Sequence, residues 1–202
     1  MQRGAIILCG GQSSRMGADK ALLPFGEETM LERVVRIVNA QVPADHTVVV
    51  AAAQQKLPPL QTLLCIDEHD CHGPLVAMAR GIAALPKNID AVFVTGCDAP
   101  LLVPEVIDFL FAELGSAEAI VPTDVEHLHP LCAVYRTRVL SKIEQQIRQG
   151  QHSLHQLIKQ LDAKLIDTQL LRPLDPELLS LRNLNSHDDY ESALATAGFS
   201  TP

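Results

Sequence analysis

The residues whose types and spacing can do chemistry begin in the stretch LCGGQSSRMGADK, Leu8 to Lys20. Two adjacent glycines, Gly10 and Gly11, are followed by Ser13, Ser14, Gly17 and the cations Arg15 and Lys20. Glycines let backbone N–H groups close on an anion, and cations at fixed spacing neutralise a polyphosphate. The loop is neither G-x-x-x-x-G-K-[ST], since Ala18 follows Gly17, nor G-x-G-x-x-G. Taken alone, it is either a phosphate cradle of another kind or a solvated connector whose glycines only turn the chain.

A second candidate is Asp98, in DAVFVTGCDAP. The apolar run delivers it to a strand end, and Pro100 then stops the ladder. A carboxylate there suits a hard cation such as Mg²⁺, which takes one or two carboxylates together with substrate phosphates and water. The alternative is a turn aspartate bonding its own backbone. In IDEHDCHGPL, the residues Asp67, Glu68, His69, Asp70, Cys71 and His72 crowd one loop without the separated pairs of a tetrahedral metal site, so a solvated acidic loop is expected. In RNLN, Asn183 and Asn185 alternate and would share one face of a strand, or else end that strand and cap the last helix.

The elements that must position these residues follow from the apolar pattern. Strands are expected at Ala5 to Cys9, Thr47 to Ala53, Leu63 to Ile66, Ala91 to Thr95, Ala119 to Val121, Leu131 to Tyr135 and Lys164 to Ile166. Most lack strict alternation, as strands covered on both faces do. Thr29 and Glu32 form a capping box that opens a helix carrying Leu31, Val34, Val35 and Val38. Further helices are expected over 75–85, 104–114, 138–149 and 154–161, and a last one is capped by Ser186. This alternation predicts an α/β fold with a doubly wound, mainly parallel sheet, its ligands beyond the carboxyl ends of the strands.

Composition narrows the function classes. The 202 residues are 47% hydrophobic and 20% charged, enough for one compact domain over 1–202. No apolar run approaches the roughly 20 residues that span a bilayer, and no signal peptide is evident, so a cytoplasmic protein without membrane partners is expected. A formal charge of −8 and an aromatic content of 3% argue against nucleic acid as a partner. The five cysteines, Cys9, Cys65, Cys71, Cys97 and Cys132, show no C-x-x-C spacing and read as reduced, mostly buried thiols.

The stretch LCGGQSSRMGADKALLPF resembles the L-x-G-G-x-S-x-R-M-G-x-x-K signature of nucleotidyltransferases, specifically of the molybdenum cofactor guanylyltransferases. The likeness continues in order through GPL at Gly73, GCDAPLL at Gly96, HPLCAVYR at His129 and RNLNSHDDYESA at Arg182. It implies a Rossmann-like nucleotidyltransferase domain that joins the terminal phosphate of molybdopterin to the GMP of GTP, releasing pyrophosphate, with Mg²⁺. It further implies a nucleotide site built from Leu8, Cys9, Gly10, Gly11, Lys20, Asp67, Gly73 and Asp98. Lys20, Arg15 and Asp98 would carry the chemistry, with Asp98 as metal ligand and Asp67, or Glu68 beside it, reading guanine. His129, Asn183 and Asn185 fall on the pterin side, in the C-terminal half. Protein partners implied are a molybdenum insertase and apo-molybdoenzymes or their chaperones. One departure is Ala51, where relatives can carry an asparagine that contacts the nucleotide; Gln54 is the candidate substitute. Rival readings are a cytidylyltransferase on the same pterin, a sugar- or polyol-phosphate nucleotidyltransferase, and a nucleotide-binding adaptor without catalysis. The Gly10–Gly11 pair favours guanine, because the cytidylyl branch tends to have Ala before the second glycine.

Overall fold

The computed structural model describes residues 1–9, 19–67 and 73–200. In chain order its elements are β1 (Arg3–Leu8), β2 (Pro24–Phe25), β3 (Glu28–Thr29), α1 (Met30–Asn39), β4 (Thr47–Ala52), β5 (Leu63–Asp67), α2 (Pro74–Ala84) and β6 (Ala91–Gly96). They continue with α3 (Pro104–Glu113), β7 (Ala119–Thr123), β8 (Cys132–Arg136), α4 (Leu140–Arg148), α5 (Leu154–Gln160), β9 (Ala163–Asp167) and α6 (His187–Thr196). Seven strands form one sheet in the order β5-β4-β1-β6-β8-β7-β9; β8 runs antiparallel to both neighbours and the other pairings are parallel.

The central strands are apolar throughout because both faces are covered. In β1, Ala5 and Ile7 enter a layer with α1 and α3 residues such as Leu31, Val34 and Leu110, while Ile6 and Leu8 enter a second layer with Leu75 and Met78 of α2 and Ile143 of α4. Strand β5 lies at the sheet edge, and there alternation returns, with Leu64 and Ile66 exposed. The expected capping box is present: Thr29 Oγ1 accepts from Glu32 N, and Glu32 Oε2 accepts from Thr29 N. Ser186 and Asp189 build the same device at α6.

Two features depart from the expectations. Residues 182–185 form no strand; they run as an irregular segment into α6, so Asn183 and Asn185 do not share a strand face. The segment is tied to the sheet instead by a backbone bond, Leu184 N to Asp98 O at 2.9 Å, and by the buried Leu184 side chain. The small hairpin β2–β3 carries too few residues for a pattern to reveal it. It turns at Gly26, whose φ of 72° and whose contact with the Phe199 ring leave no room for a Cβ. The hairpin presents Phe25 to a third apolar cluster with Tyr190, Leu194 and Leu184, which fastens α6 to the N-terminal part of the chain.

Connections from β1 lead outward to β4 and β5, and α2 then returns the chain to β6 on the opposite side of β1. The carboxyl ends of β1 and β6 are therefore a topological switch point, where open α/β sheets hold ligands.

Candidate active site

At that switch point Leu8 is in register with Gly96, and Cys97 N donates to Leu8 O at 2.9 Å. Cys9 leaves β1 still bonded to the sheet, its N–H donating to Val50 O at 2.8 Å. Gly10, Gly11 and Arg15 lie outside the described residues, as does Glu68. The chain is described again at Asp19, which caps the 3-10 turn Lys20–Leu22 through a bond from Ala21 N to Oδ1 at 3.1 Å.

This turn aims Lys20 across the switch point. Its Nζ donates to Leu184 O at 2.6 Å and to Asn185 Oδ1 at 3.2 Å, and stands 3.7 Å from Asp98 Oδ2. The structure brings together Lys20, Asp98 and Asn185, which the sequence singled out, and adds Leu184, which it did not. That residue joins the cluster through its backbone, accepting from Lys20 and donating to Asp98 O, which no side-chain pattern reveals.

Asp98 follows β6 by two residues, and its carboxylate folds back over Gly96, where a Cβ would collide with Oδ1. Burial pushes the Asp98 carboxyl above its ordinary range, and the Lys20 ammonium partly opposes that shift. The turn beyond it is braced from α1, since Arg33 Nε donates to Pro100 O at 2.7 Å. A half-buried carboxylate beside a single cation suits a metal ion delivered with phosphate. Among the described residues no cluster of three or more His, Cys, Asp or Glu could hold a metal ion.

The remaining candidates spread along the same edge of the sheet. Asp67 ends β5, three strands from β6, a separation of about 14 Å at the usual strand spacing. Arg80 of α2 pairs with it, Nε to Oδ1 at 3.1 Å. Gly73 opens α2 as expected, with φ of 83° ahead of Pro74 at the first helical position. On the other flank His129 lies in the turn from β7 to β8, with Nε2 3.6 Å from Asp124 Oδ2, and burial holds its imidazole below the ordinary range. Asn183 lines a pocket with Leu101, Arg182 and Asp189. Ala51 is buried in β4 and Gln54 is exposed; Gln55 is the residue that turns inward.

Burial works against thiolate formation at several of the described cysteines. Cys97 is raised well above its ordinary range by the neighbouring Cys9 thiol and by burial, and burial pushes Cys132 up to about 12. Cys9, Cys97 and Cys132 are buried free thiols, and the partly buried Cys65 is free as well.

Residues 5–165 match the family described as the MobA-like NTP transferase domain. The chain belongs to the MobA-like NTP transferase family. Its relatives in this family include a "Probable molybdenum cofactor guanylyltransferase" of Mycobacterium avium, 38% identical over 98% of this chain and 97% of the relative. A protein of the same description from Methanosarcina mazei is 31% identical over 96% of this chain and 91% of its own. In three dimensions the chain is similar to the molybdopterin-guanine dinucleotide biosynthesis protein A of Archaeoglobus fulgidus. The TM-score is 0.79 at 21% identity, over 98% of this chain and 99% of that one, a likeness that shows the fold. Nucleotidyl transfer is thus the chemistry of this family.

Proposed function

We propose that this chain transfers GMP from GTP to the terminal phosphate of molybdopterin, forming molybdopterin guanine dinucleotide and pyrophosphate in the cytoplasm. The observation that carries this reading is the convergence of Lys20 and Asp98 at the switch point, in a chain whose relatives are described as guanylyltransferases. Among the described residues no helix is long and apolar enough to cross a membrane.

A phosphate oxygen of the pterin attacks the α-phosphorus of GTP, a P–O bond forms, and the bond to the β-phosphate oxygen breaks with its electrons leaving on pyrophosphate. The attacking group is already an anion, so the protein needs no nucleophile; its work is to position the reactants and answer their charge. Lys20 meets the polyphosphate, and in this reading Arg15 and the Gly10 and Gly11 amides complete the cradle with the strand end at Leu8 and Cys9. Asp98 would hold Mg²⁺, which when bound neutralises charge on phosphate oxygens. Asp67, beside Gly73 on the β5 flank, reads the base, and the C-terminal half with His129, Asn183 and Asn185 faces the pterin. The sheet supports this division, because Asp67 at the end of β5 and His129 in the β7–β8 turn lie on opposite sides of β6. An insertase supplying the pterin and apo-molybdoenzymes receiving it are the protein partners this activity needs.

Gly96 tests the geometry of the metal position. Gly96→Ala places a Cβ against Asp98 Oδ1, the end of a short side chain that can swing away. The fold should survive, while a displaced carboxylate lowers transfer roughly ten-fold. A variant with unchanged kcat/KM would show that the observed carboxylate position is immaterial.

The function as a whole is tested with a nucleotide panel and metal-loaded molybdopterin, read by dinucleotide product and pyrophosphate. GTP should exceed CTP and ATP in kcat/KM. ITP, which lacks only the exocyclic amine, should fall below GTP by on the order of ten- to a hundred-fold, the worth of one charge-assisted hydrogen bond. Asp67→Ala should shrink that ratio without abolishing catalysis. Equal losses on GTP and ITP would move base reading away from Asp67, and a preference of the wild type for CTP would overturn the guanylyl assignment.

A further inference from the structure

Gln55 is a polar side chain at the switch point to which neither the sequence motifs nor the proposed chemistry gives a role. It sits just beyond β4, in the turn closed by Gln55 N to Ala52 O at 3.1 Å. Its amide is used on both sides. Oε1 accepts from Ala52 N at 3.3 Å, while Nε2 donates to Cys9 O at 2.8 Å and to Asp19 Oδ1 at 2.9 Å. Cys9 Sγ lies 3.6 Å from the same nitrogen. An amide nitrogen carries two hydrogens, and both are spent on the two residues that flank the glycine loop, one on each side.

The connection continues into the cluster. The Asp19 oxygen that accepts from Gln55 also accepts from Ala21 N, the bond that starts the turn carrying Lys20. Lys20 in turn reaches Asp98. We propose that Gln55 is a positioning residue for nucleotide binding: it ties the exit of β1 and the entry of the Lys20 turn to β4, and so sets the span the glycine loop must bridge and the reach of Lys20. The proposal rests on the reading that this loop binds the GTP polyphosphate. Gln55 acts through Cys9 and Asp19 and needs no contact with the nucleotide.

A simpler role, closing the turn after β4, needs only the acceptor Oε1. Gln55→Glu separates the two roles, because a carboxylate can still accept from Ala52 N but can donate to neither Cys9 O nor Asp19, and it faces Asp19 with like charge. The Asp19→Asn/Gln55→Glu double variant reverses the polarity of the pair, and the new amide at position 19 can donate to the carboxylate at 55.

The test is GTP binding by calorimetry with Mg²⁺ present, together with steady-state transfer to molybdopterin and thermal melting. Gln55→Glu should weaken GTP binding and raise its KM by roughly ten-fold or more. The KM for molybdopterin should stay within about two-fold, and the double variant should recover the part of the loss carried by the position-19 bond, the Cys9 bond staying broken, since paired residues couple non-additively. GTP affinity of Gln55→Glu within two-fold of wild type overturns the proposal. Equal losses for both substrates, or a double variant as weak as the sum of the single ones, overturn it too. Calorimetry needs no acceptor substrate, so a wild type that binds GTP but transfers nothing refutes the guanylyl-transfer reading alone, whereas a wild type that binds no GTP refutes both.

Discussion

Asp98→Asn is expected to lower guanylyl transfer by on the order of a hundred- to a thousand-fold while the protein melts no lower than wild type. Both halves follow from where the carboxylate sits. The amide keeps the shape and one oxygen but removes the negative charge that a hard cation requires. On stability the sign is the reverse of the usual paired carboxylate. Burial raises the folded pKa of Asp98, so its ionised form is disfavoured by folding. That cost is present above the folded pKa and absent below the unfolded one. A neutral amide removes it at neutral pH, and Lys20 retains Leu184 O and Asn185 Oδ1 as acceptors. Steady-state transfer over a range of Mg²⁺ concentrations and a melt at pH 7.5 measure the two effects. Near-normal turnover at limiting magnesium would sink the metal role, and a large drop in Tm would mean that Asp98 is a structural group.

Lys20→Met is expected to lower kcat/KM for GTP by roughly ten- to a hundred-fold, the loss of one cation that meets the polyphosphate. Methionine keeps the apolar stem in its place and removes the charge. The variant also carries a second signature. Lys20 is the group that draws the Asp98 pKa down against burial, so without it that pKa climbs further. Protons then compete for the carboxylate at higher pH, and the acid limb of the pH–rate profile moves upward. Profiles of kcat/KM for wild type and variant from pH 5 to 9 read this directly. A loss of activity with an unmoved acid limb would separate Lys20 from Asp98, and unchanged kcat/KM would reduce Lys20 to a tether for the 184–185 segment.

Much of the fold was legible because its causes are local. Apolar runs without alternation, such as Ile6 and Ile7 or Val92 to Val94, report burial on both faces of a sheet whatever the strand order. Thr29 with Glu32 and Ser186 ahead of α6 announce helix starts through bonds made within a single turn. Asp98 was legible for a related reason: a carboxylate just after a buried strand stands at the strand's carboxyl end, and the α/β alternation says that this edge is where ligands bind.

What the sequence by itself determined, then, is what a stretch of a few residues specifies: the α/β class, most strands and helices, and a carboxylate just beyond a strand end. Only the tertiary structure decided which of those ends meet. The reversal of β8 depends on its pairing with β6 and β7 at once. The 182–185 segment looked like a strand, yet it has no neighbouring strand to pair with, and its backbone serves Asp98 and Lys20 instead. Gln54 and Gln55 are chemically the same and adjacent, and the turn after β4 alone sends the second one inward to Cys9 and Asp19. Side-chain periodicity carries burial, but hydrogen bonds between distant backbone groups depend on where the packed layers bring the chain, and no local pattern encodes them.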